Sequence, residues 1–289
     1  MTDDPVYDEI NDAKTNLNHI YNERDPRAYF RKLKGVNYSI PGAAKPIFQK
    51  LISTLQDRAD DAIRVLDLGC SYGVNAALLK HDLSIGDLYD RWGQKELADA
   101  TSENIVERDK RFFANLDDAE DIEMIGFDVA DNAVAFAEET GLLDEGFSVN
   151  LETEALSEAA KKELAPVDLV TSTGCVGYVT EKSFNRLLPA ITSGSQPWFA
   201  NFVLRMFPFD AIEDTLNDHG YVTEKLQDRT FVQRRFTSDN EQAQVVDQLQ
   251  DLGIDPTGKE LEGHLLAEFY LSRPRVDAAS VPIDELMAA

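Results

Sequence analysis

A doubly wound α/β fold is what this sequence predicts, and three observations predict it. The run Ile63-Arg64-Val65-Leu66-Asp67-Leu68 reads as a buried strand entering a turn with Gly69 and Gly73, then a helix beginning near Val74. Further apolar runs, Ile122 to Asp128 ending in an acid, Val167 to Gly174 ending in small residues, and Trp198 to Leu204, alternate with helical periodicity. That is the pattern of parallel strands covered by helices on both faces. At 289 residues and 43% apolar, the chain can bury one continuous core.

In chain order, residues 1–42 read as an N-terminal helical cap. One helix is expected over Tyr7 to Tyr21 and a second from Pro26, where Asp25 caps and proline occupies the first turn. The stretch Asn37 to Gly42 ends the cap. Ala44, Ile47, Phe48, Leu51 and Leu55 then recur at helical spacing, a helix packed on the sheet. After the first strand and its helix, Leu83 to Trp92 and Asn104 to Phe113 read as short amphipathic helices of an 81–118 insertion. The second strand ends at Asp128, and the next helix, which Asp131 can cap, turns Ala133, Val134 and Ala137 inward. Phe147 to Leu151 reads as a third strand. After the fifth come a helix over Phe209 to Asp218 stopped by Gly220, and a strand from Tyr221 that continues, bent or bulged, to Phe236. A helix over Glu241 to Leu252 precedes the closing strand, Leu265 to Leu271. The 43–274 core leaves an acidic, alanine-rich tail, 275–289, expected to be loosely held.

Composition narrows the partners. Acidic residues number 53 against 28 basic, a formal net charge of −25 spread along the chain, and such a surface repels polyanions. Nucleic acid is therefore a poor partner, because its binding depends on phosphate neutralisation. The basic cluster Arg24 to Lys34 reads as a solvated helix face. No apolar run approaches the ~20 residues that span a bilayer, so no membrane partner is expected. The first residues lack a basic region and an apolar region of a secretion signal, which makes a cytoplasmic location the expectation. Dispersed acidity suits a salty cytoplasm, where screening suppresses self-repulsion. Cys70 and Cys175 each follow a strand end and read as small apolar residues lining a cleft, not as a disulfide. His19, His81, His219 and His264 fall in unrelated elements, so no metal site is expected.

Chemistry concentrates at the glycine turn. Gly69 and Gly73 let backbone approach a ligand, and the following helix offers free N–H groups. Asp67, just before Gly69, would repel a phosphate, so the ligand should carry a cationic part and hydroxyls. Asp128, at the carboxyl end of the neighbouring strand, can accept hydrogen bonds from both hydroxyls of a ribose. The turn lacks G-x-G-x-x-G spacing, which disfavours a nicotinamide dehydrogenase.

With its glycine motif, ribose acid and small-residue fourth strand in this order, the chain resembles the class I S-adenosylmethionine-dependent methyltransferases over residues 43–274. The resemblance implies a Rossmann-like seven-stranded sheet of order 3-2-1-4-5-7-6 with the last strand antiparallel. S-adenosyl-L-methionine would lie in the crevice between strands 1 and 4. Asp67 would then sit near its methionine part, with Gly69, Ser71 and Gly73 presenting backbone to methionine and ribose. Asp128 would hold the ribose diol and Val129 would lie against adenine. Glu152 or Thr153 would meet the adenine edge, and Ser172 and Thr173 would line the crevice from the fourth strand. Two departures stand out: Ser71 replaces the family's central glycine, and Asp128 lies well beyond the usual offset of about 20 residues from the glycine turn, which the 81–118 insertion accounts for.

Methyl transfer from a sulfonium is an in-line displacement that draws on alignment and exclusion of water, so sequence seldom names a catalytic residue. Tyr178, after the fourth strand, and Arg205, at the end of the fifth, are placed to face an acceptor. Tyr178 would orient or deprotonate it, and Arg205 would hold a carboxylate; a packed aromatic and an ion pair are their plain alternatives. Tyr29 and Tyr38 would close over the site, with cap and insertion together roofing the acceptor pocket. The expected function is methyl transfer to a small-molecule metabolite, to O or N rather than C, with a carboxylate-bearing acceptor favoured by Arg205. The alternative is a protein that binds S-adenosylmethionine or S-adenosylhomocysteine without turnover. The oligomeric state stays open, a homodimer included.

Overall fold

Apolar runs without alternation become strands covered on both faces, as in Trp198–Leu204, where all seven residues are buried. The computed structural model describes residues 20–59, 61–118 and 121–288. Nearly all of the helix expected over Tyr7 to Tyr21 lies outside the described residues. From there the chain runs α1 (Arg27–Gly35), α2 (Ile40–Gln56), β1 (Ile63–Leu68), α3 (Val74–Lys80), α4 (Ile85–Trp92), α5 (Ser102–Phe113), β2 (Ile122–Asp128), α6 (Asp131–Glu139) and β3 (Glu145–Ser148). It continues through α7 (Glu158–Leu164), β4 (Leu169–Thr173), α8 (Glu181–Ile191), β5 (Trp198–Leu204), α9 (Asp210–Asp218), β6 (Tyr221–Lys225) and β7 (Phe231–Arg235). The last elements are α10 (Asp239–Asp251), β8 (His264–Pro274), α11 (Arg275–Ser280) and α12 (Ile283–Ala288).

The sheet order is β3-β2-β1-β4-β5-β8-β6, with β7 also paired to β8. The first five strands are parallel, and β8 runs antiparallel to β5, β6 and β7. β6 lies along Tyr270–Pro274 and β7 along His264–Ala267, so the two occupy successive halves of one edge position. Counted by position, the sheet has the Rossmann-like order 3-2-1-4-5-7-6 with an antiparallel finish, and the strand from Tyr221 to Arg235 is indeed interrupted. No helix among the described residues is long and apolar enough to cross a membrane.

The insertion forms as two capped helices. Ser84 and Asp87 make a reciprocal capping box on α4, and Thr101 caps α5 by accepting from Asn104 N–H. Asp109 is buried between them, where it accepts from Trp92 Nε1 at 2.6 Å and Arg91 Nε at 2.8 Å.

Several boundaries differ from the sequence expectation. α2 starts at Ile40, with Pro41 in its first turn, so a cap ending at 42 would cut the helix. Pro26 is the N-cap of α1 itself, and Asp25 accepts from Arg27 N–H. Asp131 does not cap α6; the N-cap is Ala130, whose N–H donates to Asp128 Oδ1. β3 ends at Ser148, because Asn150 starts a turn in which it accepts from Glu152 and Thr153 N–H. The tail is held rather than loose: Trp198 Nε1 donates to Asp277, Ile283 N–H to Glu224, and Leu286 is buried.

Candidate functional site

The turn after β1 alternates left-handed residues, Gly69 at φ +77°, Ser71 at +48° and Gly73 at +72°. Ser71 is thus a non-glycine in the left-handed region, and its N–H donates to Asp128 Oδ2 at 2.8 Å. With Ala130 N–H donating to Oδ1 at 3.0 Å, the Asp128 carboxylate joins the turn to the start of α6. Each carboxylate oxygen still has lone pairs for a ligand. Burial raises the Asp128 pKa above the ordinary carboxylate value. A side chain at Gly69 would lie 2.7 Å from Cys175 Cβ, so only glycine fits there. Gly73 has a different use: it is the N-cap of α3 and abuts Ala137 and Leu142, away from the crevice, which corrects its expected ligand role.

Asp67 is fully buried. Its Oδ1 accepts from Asn75 Nδ2 at 2.9 Å and Thr171 Oγ1 at 3.0 Å, while Oδ2 has no partner among the described residues. Desolvation pushes its pKa up to about 7. Asn75 also donates to Thr173 Oγ1 at 3.2 Å, so this residue of α3 links the first motif to the end of β4.

Above these carboxyl ends lies a chamber of about 480 Å³, within the roughly 300–1,000 Å³ usual for small-molecule sites. Leu68, Gly69, Ser71, Asp128, Val129, Asn150, Leu151 and Thr173 line one end. Val129 is 66% exposed, an apolar surface open to a planar group. Glu152 reaches the lining, but its carboxylate accepts from Thr180 N–H and Oγ1, both at 2.8 Å, and Ser183 Oγ at 2.6 Å. It therefore satisfies the N-terminus of α8 from a position on the chamber wall. Thr153 is exposed in the turn and does not line the chamber. Ser172 does not either: it alternates to the other side of β4 and donates to Asn201 Oδ1 at 2.8 Å, fully buried. Both cysteines are free; Cys175 lines the chamber, whereas Cys70 packs against Gly126 on β2.

Arg205 requires the largest correction. It is buried away from the chamber, with Nη1 on Glu260 at 2.5 Å, Nε 3.6 Å from Glu268 and Nη2 donating to Asp255 O at 3.0 Å. It ties β5 to the segment before β8 and meets no acceptor.

The other end of the chamber is formed by Tyr21, Tyr29, Tyr38, Tyr178, Gln233 and Arg234. Tyr29 and Tyr38 share a hydrogen bond, and the Tyr21 and Tyr29 rings meet edge to face at 5.2 Å. Burial pushes the Tyr21 phenol up to about 12 and raises Tyr29, Tyr38 and Tyr178 as well. Tyr178, about half exposed, lines the chamber where it can orient an acceptor.

Cap and β7 close this end together. Ser39 N–H donates to Gln233 O at 2.8 Å and Arg235 N–H to Val36 O at 2.7 Å. A register shift between Val232 and Arg234 marks a bulge, and it places Gln233 over Gly174, where an added Cβ would lie 2.3 Å from the Gln233 amide nitrogen. On the opposite side Asn22 binds Asp131 and Asn132, and Tyr72 Oη donates to Glu23 O at 2.8 Å, strapping residues 20–25 over the glycine turn. The insertion does not line the chamber as expected. It backs the cap, through Tyr89 Oη to Tyr38 O at 2.7 Å and Ser102 Oγ to Asp25 at 2.7 Å.

Sequence reasoning missed Tyr21, Asn22, Asn75, Asn150, Gln233 and Arg234. Only the last two had a local signal: Val232-Gln233-Arg234-Arg235 breaks the alternation of an edge strand.

No family model matches the chain, and neither does any curated protein. Among solved structures, it is similar to the plantazolicin methyltransferase BamL, in complex with a triazolic desmethylPZN analogue and SAH (13% identity, 93% of this chain and 98% of that one, TM-score 0.47). It is similar to a TehB-like SAM-dependent methyltransferase from Corynebacterium glutamicum (13%, 76% and 86%, 0.37) and to a putative RNA methyltransferase from Pyrococcus horikoshii (14%, 83% and 86%, 0.40). At these identities and scores, the fold is read from the strand order and the site from its own side chains.

Proposed function

We propose that this chain is an S-adenosylmethionine-dependent methyltransferase acting on a small-molecule metabolite. The observation that carries the reading is Asp128: a carboxylate at the end of β2, joined to the glycine turn through Ser71 N–H and opening into the chamber beside Val129. The residues fit the cofactor. Asp67 Oδ2 and Ser71 Oγ are buried without partners among the described residues, and Gly69 admits nothing larger than hydrogen. Asp67 would face the amino-acid portion, Gly69 and Ser71 the backbone-bound middle, Asp128 the ribose, and Val129 and Asn150 the adenine. When bound, the cofactor supplies an electrophilic methyl group on a sulfonium. The chain's residues then enclose the acceptor: Tyr29 and Tyr38 cover it from the cap, Gln233 and Arg234 wall it from β7, and Tyr178 stands at the mouth. Exclusion of water and fixed orientation are what such a displacement needs.

A strongly acidic surface favours a small acceptor over a polyanion. Calorimetric titration with S-adenosylmethionine and S-adenosylhomocysteine tests the cofactor site. Asp128→Ala should weaken both by on the order of 2–4 kcal/mol, with circular dichroism checking the fold. Unchanged affinity would remove Asp128 from the site. Following S-adenosylhomocysteine release with pooled metabolites and separately with bulk RNA tests the acceptor: turnover on RNA would overturn the small-molecule reading, and binding without turnover on either would make the chain a binding protein.

A further inference from the structure

The acceptor end of the chamber is tyrosine-lined, and its charge runs against the carboxylate-bearing acceptor that Arg205 suggested. Tyr21, Tyr29 and Tyr38 come from the cap side and Tyr178 from the turn after β4. Among the described residues lining the chamber, Arg234 is the one cation. It is committed elsewhere, with Nη2 on Glu241 Oε1 at 2.7 Å, Nη1 on Oε2 at 3.0 Å and Nη1 also donating to Arg235 O at 2.9 Å. A forked pair of this kind presents little net charge. The Asp128 carboxylate lines the same chamber, and Asp67 is buried just before its glycine turn.

An anionic acceptor entering this space would give up water, meet no uncommitted cation and approach buried carboxylates. A nitrogen meets hydroxyl oxygens that accept its N–H bonds and aromatic rings that favour positive charge. Building on the methyltransferase reading above, we propose that the acceptor atom is an amine nitrogen, held among Tyr21, Tyr29, Tyr38 and Tyr178.

The amine arrives as its free base, having left a proton in solvent. Its lone pair forms the new N–C bond as the methyl C–S bond breaks, and that bond's electron pair stays on sulfur. Positive charge passes to nitrogen, beside the tyrosine rings, and the nitrogen then releases one proton to water at the chamber mouth. No side chain has to remove a proton before attack, which agrees with the phenols of Tyr21, Tyr29 and Tyr38, whose burial holds them protonated at neutral pH.

The test uses three shape-matched probes, phenethylamine, 3-phenylpropionate and 2-phenylethanol, titrated calorimetrically into the full chain saturated with S-adenosylhomocysteine. Phenethylamine should bind at least about ten-fold more tightly than either of the others. Tyr178→Ala, at a half-exposed position that should not disturb folding, should weaken it roughly two- to five-fold and leave S-adenosylhomocysteine affinity unchanged. Equal or tighter binding of 3-phenylpropionate, or no binding of the amine, overturns the inference while the cofactor reading stands. Failure of S-adenosylhomocysteine to bind overturns both.

Discussion

Asp67 keeps one oxygen on Asn75 and Thr171 and leaves the other, fully buried, without a partner among the described residues. Its folded pKa of about 7 lies above the ordinary value of 3.8, so the folded state binds this proton more tightly than the unfolded chain does. The linked stability is complete below about pH 4 and is lost as pH rises through about 7, a change on the order of 4 kcal/mol. Asp67→Asn keeps the shape and cannot ionise. Denaturant melts of the ligand-free protein at pH 5 and 8 should show wild type losing more stability than the variant across that interval; parallel losses would mean that Asp67 titrates normally. At this scale the left-handed turn at Gly69 and the strand-end positions of Asp67 and Asp128 were legible in the sequence, because the motif itself states the backbone conformation required. Arg205 and Glu152 were not. A charged residue past a strand end can serve a ligand or a distant partner, and here the partners are Glu260 and Thr180, 55 and 28 residues away.

Helix α8 shows how an element can claim a side chain that a site seems to want. Glu152 satisfies Thr180 N–H and two hydroxyls at its N-terminus, so Glu152→Ala should lower stability by about 1–3 kcal/mol and leave S-adenosylmethionine affinity nearly unchanged. Melting curves and titration of the same sample separate the two effects, and a large loss of affinity with unchanged melting would return Glu152 to the ligand. The parallel core was readable because the apolar residues of β1, β4 and β5 do not alternate with solvent-facing ones, and strands buried almost throughout need helices on both faces. The interrupted edge was readable as a bend, from Tyr221 to Phe236, but not as a chamber wall. Which way Gln233 and Arg234 point depends on a bulge set by pairing with β8, and on hydrogen bonds that Ser39 N–H donates and Val36 O accepts, in a segment far back in the chain.

Across the whole molecule, the net charge of −25 opposes compaction. Thermal midpoints should rise as salt is added from low ionic strength, since screening shortens the reach of carboxylate repulsion. A flat or falling series would mean that the acids are already balanced by pairs such as Lys80–Asp144 and Arg64–Glu163. The zip between cap and β7 carries a further consequence for how the protein is born. Ser39 and Val232, joined across its seam, stand 193 residues apart, and β7 is itself held by the strand that follows it. While the chain emerges N-terminus first, the glycine turn and its carboxylates are synthesised long before the wall that closes their chamber. A ligand needing both walls can lend no binding free energy to the nascent chain, so the core must stand unaided until the ribosome has delivered nearly all of it.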